Sequence, residues 1–282
     1  MKWTITEDFD EYVATVGPFL ACEPVLDTLI VTLVDMMRIQ GPAVVNRVKP
    51  LMGWWHDDAG EVAATLFQTP PFPVVLSRCP VAAVEDLAEV FVKYADRVTA
   101  VTVAADHEEI FRKAMATRYG TVLALEEHQR LYRLGRLAPP VPTPPGRAHV
   151  AGQEERELIV KWIEAFVEES LAKSRPDAGV LVDARLPWGG MYLWRLEDGT
   201  PVSVAGRSRE AVGMTRIGPV YTLPEYRGNG YAAGLTAAIS QAALDAGIGE
   251  VLLFTDMANP TSNGVYQRIG YEAVTDRMIL SR

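Results

Sequence analysis

Arg227, Gly228 and Gly230 make the strongest chemical signal in this 282-residue sequence. They stand in Arg227-Gly-Asn-Gly-Tyr-Ala-Ala233, so Asn229 and Tyr231 complete the turn. Upstream, Met214 to Thr222 is rich in β-branched and aromatic residues and predicts a strand. Downstream, Leu235, Ile239 and Ala242 share one face of a predicted helix reaching about Ala246. Leu223-Pro224-Glu225-Tyr226 connects the two. A helix start presents backbone N–H groups that lack intrahelical partners, and its dipole favours negative charge. Gly228 and Gly230 carry no Cβ, so a phosphate can approach the backbone. Ala232 and Ala233 keep the next turn low, and Arg227 adds a positive charge with fork geometry.

Such a site serves a phosphate-bearing ligand. No Gly-Lys-Ser/Thr follows the glycines, which excludes a nucleoside-triphosphate P-loop. The string Gly228-Asn-Gly-Tyr-Ala-Ala233 fits the loose dinucleotide pattern G-x-G-x-x-A, with Asp256 ending the next strand. A dinucleotide fold needs several parallel strands after its fingerprint, and only one strand–helix unit and a tail remain here.

A third reading accounts for more residues. The pattern Arg227-x-x-Gly230-x-Ala232 resembles the acetyl-CoA signature of the GNAT superfamily of N-acetyltransferases. The resemblance continues through Thr255-Asp-Met-Ala-Asn-Pro-Thr-Ser-Asn-Gly-Val-Tyr-Gln-Arg-Ile-Gly-Tyr271. In that family a strand ends in a segment carrying Asn, followed by a short helix carrying Tyr and then Gly-Phe or Gly-Tyr. The likeness covers roughly residues 148 to 282 and is strongest after Met214.

The resemblance implies roles for particular residues. Val220, Tyr221 and Thr222 would offer a strand edge to pantetheine in the manner of an added strand. The turn Arg227, Gly228, Asn229, Gly230, Tyr231, Ala232 and Ala233 would hold the pyrophosphate. Asn259 resembles the asparagine that contacts pantetheine, and equally fits a helix-entry residue before Pro260. Ser262 fits a cap as well as a ligand contact. Tyr266 occupies the place of the tyrosine that gives its proton to the departing thiolate. The alternative is a ring packed on the sheet with an ordinarily bonded hydroxyl. Gly218 and Pro219 suit a bulge that opens the strand, or a plain edge irregularity. Glu168, Glu169 and Glu225 are candidate bases by family position alone, and each equally fits a solvated surface carboxylate.

The bulk numbers agree with an enzyme of this kind. About half the residues are hydrophobic, and the length suits two ordinary domains. A net charge of −9 argues against nucleic acid or an anionic membrane as the main partner and is compatible with a cationic substrate. The N-terminus has no apolar leader core, and Val25 to Met37 is interrupted by Asp27 and Asp35, so no membrane span is expected. Only Cys22 and Cys79 occur, and no Cys/His cluster has metal spacing. A cytoplasmic protein without a metal is the expectation.

Ala138-Pro-Pro-Val-Pro-Thr-Pro-Pro-Gly146 reads as a semi-rigid linker. It separates a first domain, 1–137, from a second, 147–282. In the first, helices are expected over 7–20, 24–38, 81–94 and 106–118, the last capped by Asp106. Strands are expected over 52–56, 61–69, 73–77, 97–104, 121–125 and 129–134. In the second, helices are expected over 153–170 and 261–269, with strands over 190–196, 201–207, 214–222, 250–255 and 271–280. Residues 171–183 suit a short helix and a strand. The two halves share an element order, which suits two copies of one fold in tandem or an unrelated helper domain. The first half has Ser77-Arg-Cys-Pro80 where a glycine turn would stand, and no glycine between Gly60 and Gly120. It is not expected to cradle a pyrophosphate.

The expected fold is therefore α/β, with two GNAT-like domains, each a mixed sheet flanked by helices, and a degenerate first copy. The expected activity is acetyl-CoA-dependent N-acetylation of a primary amine, on a small molecule in preference to a protein, by direct transfer in a ternary complex. A non-catalytic acyl-CoA-binding regulatory module is the alternative, with a dinucleotide oxidoreductase further behind.

Overall fold

The computed structural model describes residues 3–41, 49–170 and 177–282. The chain divides into two compact units, one of residues 1–129 with 275–282 and the other of residues 130–274.

The first unit runs β1 (Trp3–Thr6), α1 (Phe9–Cys22), α2 (Thr28–Gln40), β2 (Leu51–His56), β3 (Val62–Gln68), β4 (Val74–Leu76), α3 (Val81–Lys93), β5 (Ala100–Ala104) and α4 (Glu108–Tyr119). β6 (Ala124–Leu134) then leads into the second unit. There follow β7 (Arg147–Val150), α5 (Arg156–Glu169), α6 (Ala178–Arg185), β8 (Met191–Arg195), β9 (Pro201–Arg207), β10 (Met214–Thr222), α7 (Tyr231–Asp245), β11 (Glu250–Asp256), α8 (Pro260–Arg268) and β12 (Tyr271–Ser281). Both units follow one element order, and both are mixed α/β.

In the first unit the strands lie in the order β1-β2-β3-β4-β5, and the end of β12 pairs antiparallel with β5, Arg277 opposite Ala104 and Ser281 opposite Ala100. The core lies under α3 and α4, where Leu87, Phe91, Phe111 and Met115 pack on Leu66, Leu76, Val101 and Val103. In the second unit the order is β6-β11-β10-β9-β8-β7. One face packs α7 through Leu235 and Ile239 against Ile217, Val251 and Leu253. The other packs α5 and α6 through Ile159, Ile163 and Val182 against Leu193, Val204 and Tyr221. The alternation of Ile217 and neighbouring strand residues between two buried faces explains why these strands read as nearly continuous apolar runs.

Several sequence expectations shift. The stretch 138–146, expected as a semi-rigid linker between domains, lies within the second unit. Pro144 is buried, Trp194 Nε1 donates to the Pro145 carbonyl at 2.8 Å, and the Ala138 N–H donates to the Ile269 carbonyl at 3.0 Å. Prolines suit this role because an extended strap with few N–H donors loses little by lying across side chains. The domain limits move accordingly, since β6 and β12 each continue from one unit into the other. The strands expected over 121–125 and 129–134 are one strand, β6. Asp106 lies in a 3-10 turn before α4 and makes no cap bond, whereas Gly120 ends α4 in the left-handed region as expected. Of the stretch 171–183, residues 171–176 lie outside the described set, and the remainder belongs to α6. β1 and β7 were hidden by their four-residue length. Among the described residues no helix is long and apolar enough to cross a membrane.

The equivalent of the glycine turn in the first unit is closed by the chain itself. Asp27 Oδ1 accepts the Arg78 backbone N–H at 2.8 Å, and Oδ2 pairs with the Arg78 guanidinium, which also stacks on Phe19. Burial pushes the Asp27 carboxyl above its ordinary range, outweighing these bonds. Pro80 caps α3 without a side-chain bond. A carboxylate of the chain thus engages the Arg78 N–H, two residues before the α3 N-cap.

Candidate active site

The second unit's site begins where β10 and β11 part. The two strands pair in parallel from Met214–Glu250 to Ile217–Leu253, and the pairing ends there. On its other side β10 remains paired with β9 through Val220, Tyr221 and Thr222 after an irregularity between Ile217 and Val220. Gly218 sits in that irregularity with φ +147°, a backbone state that favours glycine. The β10 edge from Val220 to Thr222 therefore faces a gap rather than a strand. Two of its carbonyls are already engaged: Tyr221 O accepts Ser203 Oγ at 2.8 Å, and Thr222 O accepts Arg227 Nε at 3.0 Å.

After β10 the chain makes a 3-10 turn, Pro224–Tyr226, and enters α7 through Gly228 and Gly230, at φ +80° and +81°. Residues 227–230 are exposed, and no side chain caps α7. Small residues continue into its first turn at Ala232, Ala233 and Gly234. A Cβ at Gly234 would stand 2.8 Å from Pro144 Cγ and from Trp194. The proline strap thus rests on the first turn of α7 and fixes its entry. Tyr231 packs inward beside Trp194 instead of facing the turn. The N–H groups at this helix start and the open loop before it fit a pyrophosphate in charge and in clearance.

Arg227 behaves differently from its sequence expectation. Its Nη2 pairs with both oxygens of Glu169, its Nε donates to Thr222, and its guanidinium lies over the Tyr221 ring. Glu169 also accepts the Tyr221 hydroxyl at 3.0 Å. Burial, then the Glu169 carboxylate, raises the Tyr221 phenol above its usual range. Glu168 and Glu225 are exposed surface residues.

Beyond β11, Asn259 Oδ1 accepts the Ser262 N–H at 3.0 Å, so Asn259 is the N-cap of α8 and Ser262 its partner. Asn263, which sequence reasoning missed, ties this helix to its surroundings. Its Nδ2 donates to the carbonyls of Asp256 and Asn259 at 2.9 and 2.8 Å, and its Oδ1 accepts the buried Tyr132 hydroxyl at 3.0 Å. The available signal was an asparagine one position past a capped first turn, where propensity alone disfavours it.

Tyr266 projects from α8 into the core with its ring edge-on to Tyr271. The two hydroxyls differ. That of Tyr271 shares a 2.8 Å hydrogen bond with Ser240, whereas among the described residues none is recorded for Tyr266. Burial pushes the Tyr266 phenol up to about 12. It is a neutral donor at any physiological pH, with its proton uncommitted.

Residues 156–271 match the family model described as the acetyltransferase (GNAT) family and form a GNAT acetyltransferase domain. No curated protein matches the chain by sequence. Among solved structures, a GCN5-related N-acetyltransferase from Sphaerobacter thermophilus is 16% identical with a TM-score of 0.61, over 83% of this chain and 80% of its own. A GNAT-family acetyltransferase from Colwellia psychrerythraea is 12% identical with a TM-score of 0.59, over 100% and 99%. A protein described as a tandem GNAT protein from the clavulanic acid biosynthesis pathway is 13% identical with a TM-score of 0.59, over 99% and 98%. At these identities the likeness is one of fold: the chain has the architecture of a tandem GNAT protein.

Proposed function

We propose that the second unit is an acetyl-CoA-dependent N-acetyltransferase that acts on a small-molecule primary amine by direct transfer in a ternary complex. The observation that carries this reading is the end of β10–β11 pairing at Ile217–Leu253, which leaves a strand edge open beside an uncapped helix start. When bound, acetyl-CoA supplies the thioester. The backbone N–H groups of residues 228–233 hold its pyrophosphate charge, and the edge at Val220, Tyr221 and Thr222 aligns the pantetheine arm. Asn259 and Ser262 shape α8 by capping it and act on the ligand only through that helix. Tyr266 Oη gives its proton to the thiolate sulfur as it leaves. Proton removal from the amine falls to water, since Glu169 is committed to Arg227 and Tyr221. The first unit, its turn closed by Asp27, takes no acyl-CoA.

An amine-panel assay tests the reading by following free thiol and product mass together. Thiol release in step with an acetylated amine is the expected result. A protein that binds CoA but turns over no amine would instead be a regulatory acyl-CoA-binding module.

A further inference from the structure

The α6 face of β10 carries two cations with no acidic partner. Arg216 alternates with Ile217, which packs towards α7, so Arg216 points to the opposite face. Arg185, at the end of α6, reaches the same place: its Nη1 donates to the Gly218 carbonyl at the irregularity where β10 leaves β11. Room for this guanidinium comes from Gly206 on β9, where a Cβ would stand 2.6 Å from Arg185 Nη1 and 3.0 Å from Met191 Sδ.

Two like charges side by side in a half-buried slot are costly. Burial lowers both guanidinium pKa values to about 10, and Arg185 lowers that of Arg216 further by repulsion. Both remain charged at neutral pH. No ion pair joins either of them to a carboxylate, and every Asp and Glu of the chain lies among the described residues. Arg216 Nη1 is out of reach of solvent and has no hydrogen-bond partner among the described residues. An unpaired buried donor on a cation is among the more expensive features a fold can carry. Of the chain's other deeply placed arginines, Arg78 pairs with Asp27, and Arg277 donates to the carbonyls of Leu26 and Leu76 although its Nε, like those of Arg97 and Arg207, also lacks a partner among the described residues.

We propose that Arg185 and Arg216 form a carboxylate-binding site for the acceptor, which makes the acceptor an amine that also carries a carboxylate, an amino acid or a close relative. The assignment rests on the acetyltransferase reading above for the position of the amine. Arg216 lies two residues from Gly218, roughly 7 Å along a strand, so a carboxylate held there leaves an amine a few bonds away at the parting of the strands. The same anion does not come from acetyl-CoA. The phosphate turn begins at Arg227, five residues beyond the strand end at Thr222, and Arg216 is roughly 20 Å from that end along the strand. Guanidinium forks suit a planar carboxylate, which they can hold through paired hydrogen bonds. The overall charge of −9 is compatible with a cationic acceptor, whereas the two guanidinium groups give this face a local positive charge.

The test sets the common L-amino acids beside their C-terminal primary amides, with inorganic phosphate at matched ionic strength as a third arm. Thermal protection of the full chain is read first, then acetyl transfer. At least one amino acid should raise Tm where its amide does not, and Arg216→Gln should abolish that rise while leaving acetyl-CoA affinity unchanged. In turnover, Arg216→Gln should raise the KM of that amino acid by about ten- to a hundredfold, the worth of a hydrogen bond to a charged group. Arg216→Met, which removes the unpaired charge, should fold and be at least as stable as the wild type in the absence of ligand. Equal protection by acid and amide, no protection by any amino acid, or protection that survives Arg216→Gln overturns the proposal. Protection by phosphate equal to that by the amino acid, and lost in Arg216→Gln, also overturns it, because the slot would then be a free-anion site. Carboxylate-specific protection without thiol release supports the carboxylate site and removes the acetyltransferase reading instead.

Discussion

Arg227 Nη2 lies 2.7 Å from Glu169 Oε2 and 2.9 Å from Glu169 Oε1. The pair is about half exposed, so it is worth at most about 1 kcal/mol and an arriving phosphate can displace the carboxylate. Glu169→Gln should therefore release Arg227 and leave acetyl-CoA affinity equal or a few-fold tighter at low salt. Titration calorimetry at two ionic strengths checks this. A kcat loss of about a hundredfold in Glu169→Gln would instead make Glu169 the base.

The turn before α7 should matter more than its arginine. Gly230 has φ +81°, with Pro144 Cβ 3.9 Å from where a Cβ would stand. Asparagine tolerates that backbone state better than other side chains. Gly230→Asn should weaken CoA binding by about tenfold or more with only a small change in Tm, and by more than Arg227→Met does. Gly230→Val should also lose stability, because a β-branched residue is strained there. Unaltered CoA affinity in a folded Gly230→Asn protein would move the ligand elsewhere.

Tyr266→Phe removes a hydroxyl for which no hydrogen bond is recorded. It should leave Tm nearly unchanged and lower kcat by about a hundredfold, with little effect on the KM for acetyl-CoA. Tyr271→Phe, which breaks the bond to Ser240, should show the reverse, a loss of stability with a smaller change in kcat. Near-normal kcat in Tyr266→Phe under chemistry-limited conditions assigns the ring to packing.

The pH profile provides a separate check. The phenolate is the charged form, so burial disfavours it and raises the Tyr266 pKa to about 12. As an acid, Tyr266 stays competent up to that pH. The wild-type kcat should show no fall centred on 10, the range of an exposed tyrosine. The same shift means that the stability contribution of the buried neutral phenol is complete below the unfolded value near 10 and is lost as pH rises towards 12. A kcat limb near 10 that persists in Tyr266→Phe would come from another group.

In the first unit, Asp27→Ala leaves the Arg78 guanidinium without its buried partner and should cost about 3 kcal/mol or more of stability. Calorimetry of the wild type should give one CoA per chain. A second equivalent site would show that the turn at Ser77–Pro80 binds despite its closure.

The sequence by itself determined the second unit's order of elements from β8 onwards and the turn at its centre. Glycines at 228 and 230, small residues at 232 and 233, and the tyrosine at 266 are choices of residue type, and their spacing is local. The GNAT likeness was legible for the same reason, since its motifs are short and contiguous. Only the tertiary structure decided what each polar group does. Arg227 looked free until Glu169, 58 residues away, was brought to it. Asn259 became a cap because Ser262 presents its N–H, and Asn263 became a tie because β6 delivers Tyr132. The proline run looked like a boundary because composition records extension and not contact. Its prolines pack on Trp194 and α7, and Trp194 alone lies 49 residues from the Pro145 carbonyl it bonds. Arg185 and Arg216 stand 31 residues apart in the chain, and no local pattern marks either of them. Their burial on one face, without a carboxylate, follows from strand alternation and the placement of α6, which no local window of the sequence contains.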